Sequence, residues 1–203
     1  MKVVFCILTG MICLSAEAMT INVNVVLQPR ADSALTYCRG HQLDTTICIL
    51  INMGMHSGKN RLFVWNFKQQ KVIRAGLVCH GIGKGSTPSL PVFSNVPESY
   101  CTSLGKYRIG ERGYSNYGIH VLYRLHGMEK TNNNAYRRLI VLHSHTPMPS
   151  REIYPHHLPT GYSLGCPVVS EEVMHDLDVM LRKATRAVLL WIYYEPNEIV
   201  MQK

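Results

Sequence analysis

Three apolar, β-branched segments crowd into the stretch from Thr46 to Cys79, and that crowding limits what the chain can fold into. Thr46–Met53 (TICILINM) reads as a buried strand. His56-Ser57-Gly58-Lys59-Asn60 reads as a turn. In Arg61–Phe67 the residues Leu62, Val64 and Asn66 alternate with Phe63, Trp65 and Phe67, the period of a strand. Lys71–Cys79 completes a three-strand meander. Further strands are expected at Gly105–Ile109, Tyr117–Leu125, Arg138–His145 (RLIVLHSH) and Ala187–Tyr194 (AVLLWIYY). His80–Tyr100, rich in Gly and Pro, reads as loop, as does Thr146–Ser163; a loop of that length in a compact domain is usually functional or disordered. Two helices flank the strands. Gln28–Leu43 carries Ala31, Leu35 and Cys38 at helical spacing. A second helix follows Ser170 as its cap, with Glu171 and Glu172 in the first turn, where negative charge is favoured, and Val173, Leu177 and Leu181 on one face.

The N-terminus reads as a leader. Lys2 supplies a positive start, Val3 to Leu14 is apolar, and Ala16-Glu17-Ala18 has the small-x-small form of a cleavage site. The run is too short for a membrane-spanning helix, which needs about 20 residues. Export is therefore expected, with cleavage after Ala18 and no integral membrane segment in the mature chain. Seven cysteines become five on cleavage: Cys38, Cys48, Cys79, Cys101 and Cys166. An odd number in an oxidising compartment leaves at least one thiol free. Cys166 is the expected free thiol, and Cys38 with Cys48 is the first candidate pair.

Lys and Arg number 21 against 13 Asp and Glu, a formal net charge of +8, which suits an anionic partner. The basic residues are scattered, with no run longer than Arg137-Arg138, so the footprint of a nucleic-acid binder is missing. At 46% hydrophobic and 17% charged, the chain is neither disordered nor a coiled coil.

Two segments concentrate reactive side chains: His143-Ser144-His145 at the end of a strand, and Ser163-Leu164-Gly165-Cys166-Pro167. Strand alternation puts His143 and His145 on one face and Ser144 on the other. A His beside a Cys can take its proton, and Gly165 permits a tight backbone whose N–H groups converge on an oxyanion. The residues thus suggest Cys–His acyl transfer. A buried structural Cys166 is an alternative from residue type alone. Zinc is another, since His143, His145, His156, His157 and Cys166 offer ligands, although their spacing matches no standard motif.

Five blocks in order carry a resemblance. They are Phe93-Ser94-Asn95, Ser103-Leu104-Gly105-Lys106-Tyr107, His126–Lys130 with Asn133-Asn134-Ala135, Arg138–His143, and Ser163–Val168. Together they resemble the catalytic domain of murein L,D-transpeptidases, the YkuD-type superfamily, in the branch with a Trp-Gly-Cys-Pro-like motif. Leu164 stands where that branch often has Trp, and Pro167 and Val168 where the wider superfamily has Arg or Asn.

The resemblance implies a mostly β catalytic fold with flanking helices, a β-sandwich or barrel. The residues read as a leader at 1–18 and an N-terminal helical segment at 19–45, and with the resemblance, which runs from Phe93 to about Tyr194, the catalytic domain is expected at 46–203. The resemblance also implies Cys166 as nucleophile, His143 as base oriented by the Ser144 carbonyl, and the N–H groups of Gly165 and Cys166 as oxyanion donors, joined by Leu164. His145, Leu164, Ser163 and Tyr114 are the expected substrate contacts; His80 and Arg108 are weaker candidates. The implied partners are peptidoglycan stem peptides outside the cytoplasm, met by a monomer without cofactor or metal. The implied reaction is L,D-transpeptidation, or L,D-carboxypeptidation if water replaces the acceptor amine; a wall-binding protein without turnover is the remaining reading.

Overall fold

The computed structural model describes residues 22–196, so the leader expected at 1–18 lies outside the described residues. In chain order the elements are α1 (Val23–Gly40), β1 (Ile47–Asn52), β2 (Leu62–Asn66), β3 (Lys71–Gly76), β4 (Gly105–Tyr114), β5 (Val121–Gly127), β6 (Val141–Ser144), β7 (Val168–Val169), α2 (Glu171–Lys183) and β8 (Leu189–Tyr193). One sheet contains all eight strands in the order β3-β2-β1-β8-β4-β5-β6-β7. The meander is present: β1 pairs antiparallel with β2, and β2 with β3. β8 enters the middle, parallel to β1 and antiparallel to β4. Beyond β3, the Cys79 N–H donates to the Val168 carbonyl at 2.9 Å, so the two outer edges meet and the sheet nearly closes. Of sandwich and barrel, the barrel form is the one adopted, mostly β with two helices.

Both faces of β1 are covered, which is why its six residues are buried without alternation. One face places Ile47, Ile49 and Ile51 in a core with Tyr107, Leu125, Leu142 and Ile192, closed by Val173, Met174 and Leu177 of α2. The other places Cys48 and Leu50 beside Phe63 and Trp65, under Leu27, Ala31, Ala34 and Cys38 of α1. Ser170 caps α2 as expected, its hydroxyl accepting from the Val173 N–H. Asp178 then ties α2 to the sheet, accepting from Arg112 and from the Tyr123 hydroxyl at 2.7 Å each. Among the described residues, no helix is long and apolar enough to cross a membrane.

Several expectations need correction. α1 begins at Val23, capped by the Asn22 side chain, and runs through Pro29, whose missing N–H conceals the earlier turns from a propensity reading. β5 starts at Val121, because Tyr117–His120 turns, with His120 at φ +60°. β6 starts at Val141 rather than Arg138, because Leu139 takes φ +57° and cannot extend the strand. Cys38 and Cys48 share a core cluster but are not paired: all five described cysteines are free thiols. Burial pushes the Cys38 thiol up to about 12 and Cys48 well above its ordinary value, so both behave as small hydrophobes.

Candidate active site

A cleft of about 890 Å³ opens beside β6, and Cys166, His143, His145, Tyr114, Leu164 and Ser163 all line it. The turn that presents Cys166 is built by Ser163. This side chain is 3% exposed; its hydroxyl accepts from the Gly165 N–H at 3.0 Å and donates to the Cys166 carbonyl at 2.6 Å. Gly165 sits at φ +115°, and a Cβ there would lie 2.8 Å from the Cys101 carbonyl oxygen, so only glycine fits. Two expectations change as a result. The Gly165 N–H is directed at Ser163 and not into the cleft, and the Ser163 hydroxyl is committed inside the turn and not offered to a substrate. The N–H groups of Leu164 and Cys166, in contrast, meet no protein acceptor among the described residues.

The Cys166 sulfur accepts from the Val141 N–H at 3.4 Å, while its thiol faces the Leu139 carbonyl at 3.8 Å. Burial pushes the thiol up; the Val141 N–H and the Arg138 charge pull the other way. His143 Nδ1 lies 2.9 Å from the Ser144 carbonyl. A carbonyl can only accept, so Nδ1 carries the proton and Nε2 keeps its lone pair. Burial holds the imidazole below its ordinary value, opposed by that hydrogen bond and assisted by His145.

Ser144 turns the opposite way. It is fully buried, and its hydroxyl accepts from the Ile119 N–H at 3.1 Å, fixing the turn that carries Tyr117. His145 lies just past the end of β6, edge-on to Tyr117 and Tyr162 with centroids 5.2 and 5.4 Å away. Tyr114 is 70% exposed and stacks on His120; Leu164 is 56% exposed.

His80 and Arg108 are not part of the cleft. His80 is packed between Arg61 and the Thr87 carbonyl, and Arg108 lines a separate small depression. His157 is bonded to Ser57 and stacked on His56, which removes it from the zinc set. Among the described residues, no group of three or more His, Cys, Asp or Glu side chains is arranged to hold a metal.

The sequence reading missed several residues of the cleft. Tyr117, Tyr162 and Leu139 line it, and Arg138 reaches in behind Gly165. Three non-glycine residues of its wall hold left-handed backbone: Glu98 at φ +61°, Tyr100 at +52° and Leu139 at +57°. Strain of this kind gathers at functional sites.

No curated protein matches the chain in sequence. Among solved structures, the helical cell shape determining protein Pgp2 from Campylobacter jejuni is similar with a TM-score of 0.48 at 12% identity, over 83% of this chain and 56% of that one. A point mutant of Pgp2 gives 0.48 at 11% identity, over 86% and 57%. An L,D-transpeptidase from Xylanimonas cellulosilytica gives 0.39 at 12% identity, over 72% and 60%. The chain therefore spans less than two thirds of the length of each of these structures. The L,D-transpeptidase catalytic domain family matches residues 21–193, most of the sequence, and the chain belongs to that family.

Proposed function

We propose that the chain is an exported cysteine acyltransferase that acts on peptidoglycan stem peptides as an L,D-transpeptidase, through a thioester on Cys166. The observation that carries this reading is that Cys166 and a His143 with a fixed tautomer line one cleft. With the thiol pushed up and the imidazole held down, both rest neutral near pH 7. His143 then acts as a general base rather than as half of a standing ion pair.

In the first half-reaction the Cys166 proton passes to His143 Nε2 as the sulfur bonds to the diamino acid's carbonyl carbon in the peptide bond that follows it. The negative oxygen is received by the N–H groups of Leu164 and Cys166. Collapse breaks the C–N bond, and the departing amine takes the proton from His143. In the second half-reaction an acceptor amine gives its proton to His143 and bonds to the thioester carbon, the C–S bond breaks, and the sulfur takes the proton from His143 to restore the thiol. The exposed Leu164 and Tyr114, with His145, are the substrate contacts in this reading.

Incubation of the chain with muropeptides, read by mass spectrometry, tests the proposal. Cross-linked dimers with loss of the terminal residue are expected. Shortened peptides without dimers would make water the acceptor and the enzyme an L,D-carboxypeptidase. Unchanged peptides would refute turnover.

A further inference from the structure

Arg138 leaves the turn before β6 and is held by four neutral acceptors. Nη1 donates to the Ser94 carbonyl at 2.9 Å and the Ser103 hydroxyl at 2.5 Å; Nη2 donates to the Cys101 carbonyl at 2.7 Å and the Ser99 hydroxyl at 3.3 Å. Among the described residues no carboxylate forms an ion pair with it. The same Nη2 lies 3.2 Å from the point where a Gly165 Cβ would stand, on the peptide that leads into Cys166. A guanidinium fixed on both arms and facing only neutral groups leaves its charge unbalanced. Two groups beside it could become anions, the Cys166 sulfur and the Tyr107 phenol, and burial keeps the phenol protonated.

We propose, resting on the reading of Cys166 as nucleophile, that Arg138 is a positioning residue of the reaction, whose fixed positive charge stabilises the Cys166 sulfur as the thiol gives up its proton. The direction in which Arg138 moves the Cys166 thiol agrees with this, opposing the effect of burial. Other groups around the sulfur are accounted for. His143, on β6, is held neutral by burial, and Tyr107, on β4, is kept protonated by its own burial. His145 stands at the end of β6. Glu98 and Arg137 line the cleft with opposite formal charges, beside the phenols of Tyr100, Tyr114, Tyr117 and Tyr162. Arg138 differs from these in being locked against the Gly165 peptide.

The test is the pH dependence of Cys166 alkylation by iodoacetamide in the full chain, followed on the Cys166 peptide by mass spectrometry. The thiol proton leaves to buffer, the sulfur bonds to carbon and iodide departs. Removing an opposite charge typically moves such a midpoint by ~1–3 pH units. Arg138→Gln is expected to raise it by about one unit, and Arg138→Lys, which keeps the charge, by much less. Thermal melting reports whether each variant folds. Ser103→Asp places a carboxylate on Nη1 without removing the arginine, and it is expected to raise the midpoint too, so the proposal stays testable if Arg138→Gln does not fold. An unmoved midpoint in Arg138→Gln or in Ser103→Asp overturns the proposal. So does an Arg138→Lys midpoint raised as far as that of Arg138→Gln, because the fork and not the charge would then be the cause. Alkylation needs no peptide substrate, so this result is distinguishable from a failure to turn over stem peptides.

Discussion

The Ser163 hydroxyl donates to the Cys166 carbonyl at 2.6 Å, and with the bond it accepts from Gly165 it closes the turn that holds the Cys166 thiol in place. Removing that hydroxyl leaves a buried N–H without its acceptor, which costs about 1–3 kcal/mol. Ser163→Ala is therefore expected to lower stability by that amount in urea unfolding while leaving the fold intact by circular dichroism. A stability equal to that of the native chain would show that the turn holds without the bond.

Gly165→Ala should be more damaging to the site. The new Cβ meets the Cys101 carbonyl oxygen at 2.8 Å, and the backbone at φ +115° is strained for any other residue, at a cost of about 1–3 kcal/mol. The expected result is a lowered melting temperature and slowed Cys166 alkylation. Alkylation at the native rate would mean the turn relaxes without moving the sulfur.

The two cleft histidines should separate in single-turnover acylation by a tetrapeptide or a carbapenem. The His143 tautomer is fixed by the Ser144 carbonyl, while the His145 ring stands edge-on to Tyr117 and Tyr162 and has no hydrogen-bond partner among the described residues. Loss of a general base is worth ~10²–10⁴-fold in rate. His143→Ala should lose this much in acylation, and His145→Ala should mainly weaken substrate binding. The reverse pattern would assign the base to His145.

Legibility in the sequence followed locality. The meander and α2 are written in runs of β-branched residues and in Ser170-Glu171-Glu172, signals that act within a few residues. Arg138-Leu139 reads as strand for the same local reason. Its true geometry comes from acceptors at Ser94, Ser99, Cys101 and Ser103, well upstream in the chain, and from a left-handed Leu139. β7 has two residues and no periodicity to detect. In the site, Cys166 and His143 are visible as motif residues. The engagement of the Gly165 N–H by Ser163 is a matter of side-chain rotamer, which spacing cannot reveal.

His80 makes the stability depend on pH. Arg61 can only donate, so His80 Nδ1 accepts at 3.0 Å, and Nε2–H donates to the Thr87 carbonyl at 2.9 Å; the ring is neutral in the fold. Burial first, then the Arg61 charge, push it from 6.5 down to about 4. Between those values the unfolded chain binds a proton that the folded chain does not, so stability is full above about 6.5 and falls as pH drops toward about 4. At about 1.4 kcal/mol per pH unit, the loss from this residue is on the order of 3 kcal/mol. Urea unfolding across the window should show the decline, and His80→Gln should flatten it. An equally steep decline in the variant would place its origin elsewhere.

The strand at the centre of the sheet is the last of the eight in chain order. β8 joins β1 to β4, so the meander β1–β3 and the strands β4–β7 are linked through β8 on one side and by the Cys79–Val168 bridge on the other. Until β8 is added, the two partial sheets each keep an open edge, β1 on one and β4 on the other. Closure of the ring therefore waits on a strand that lies far downstream of the meander it completes.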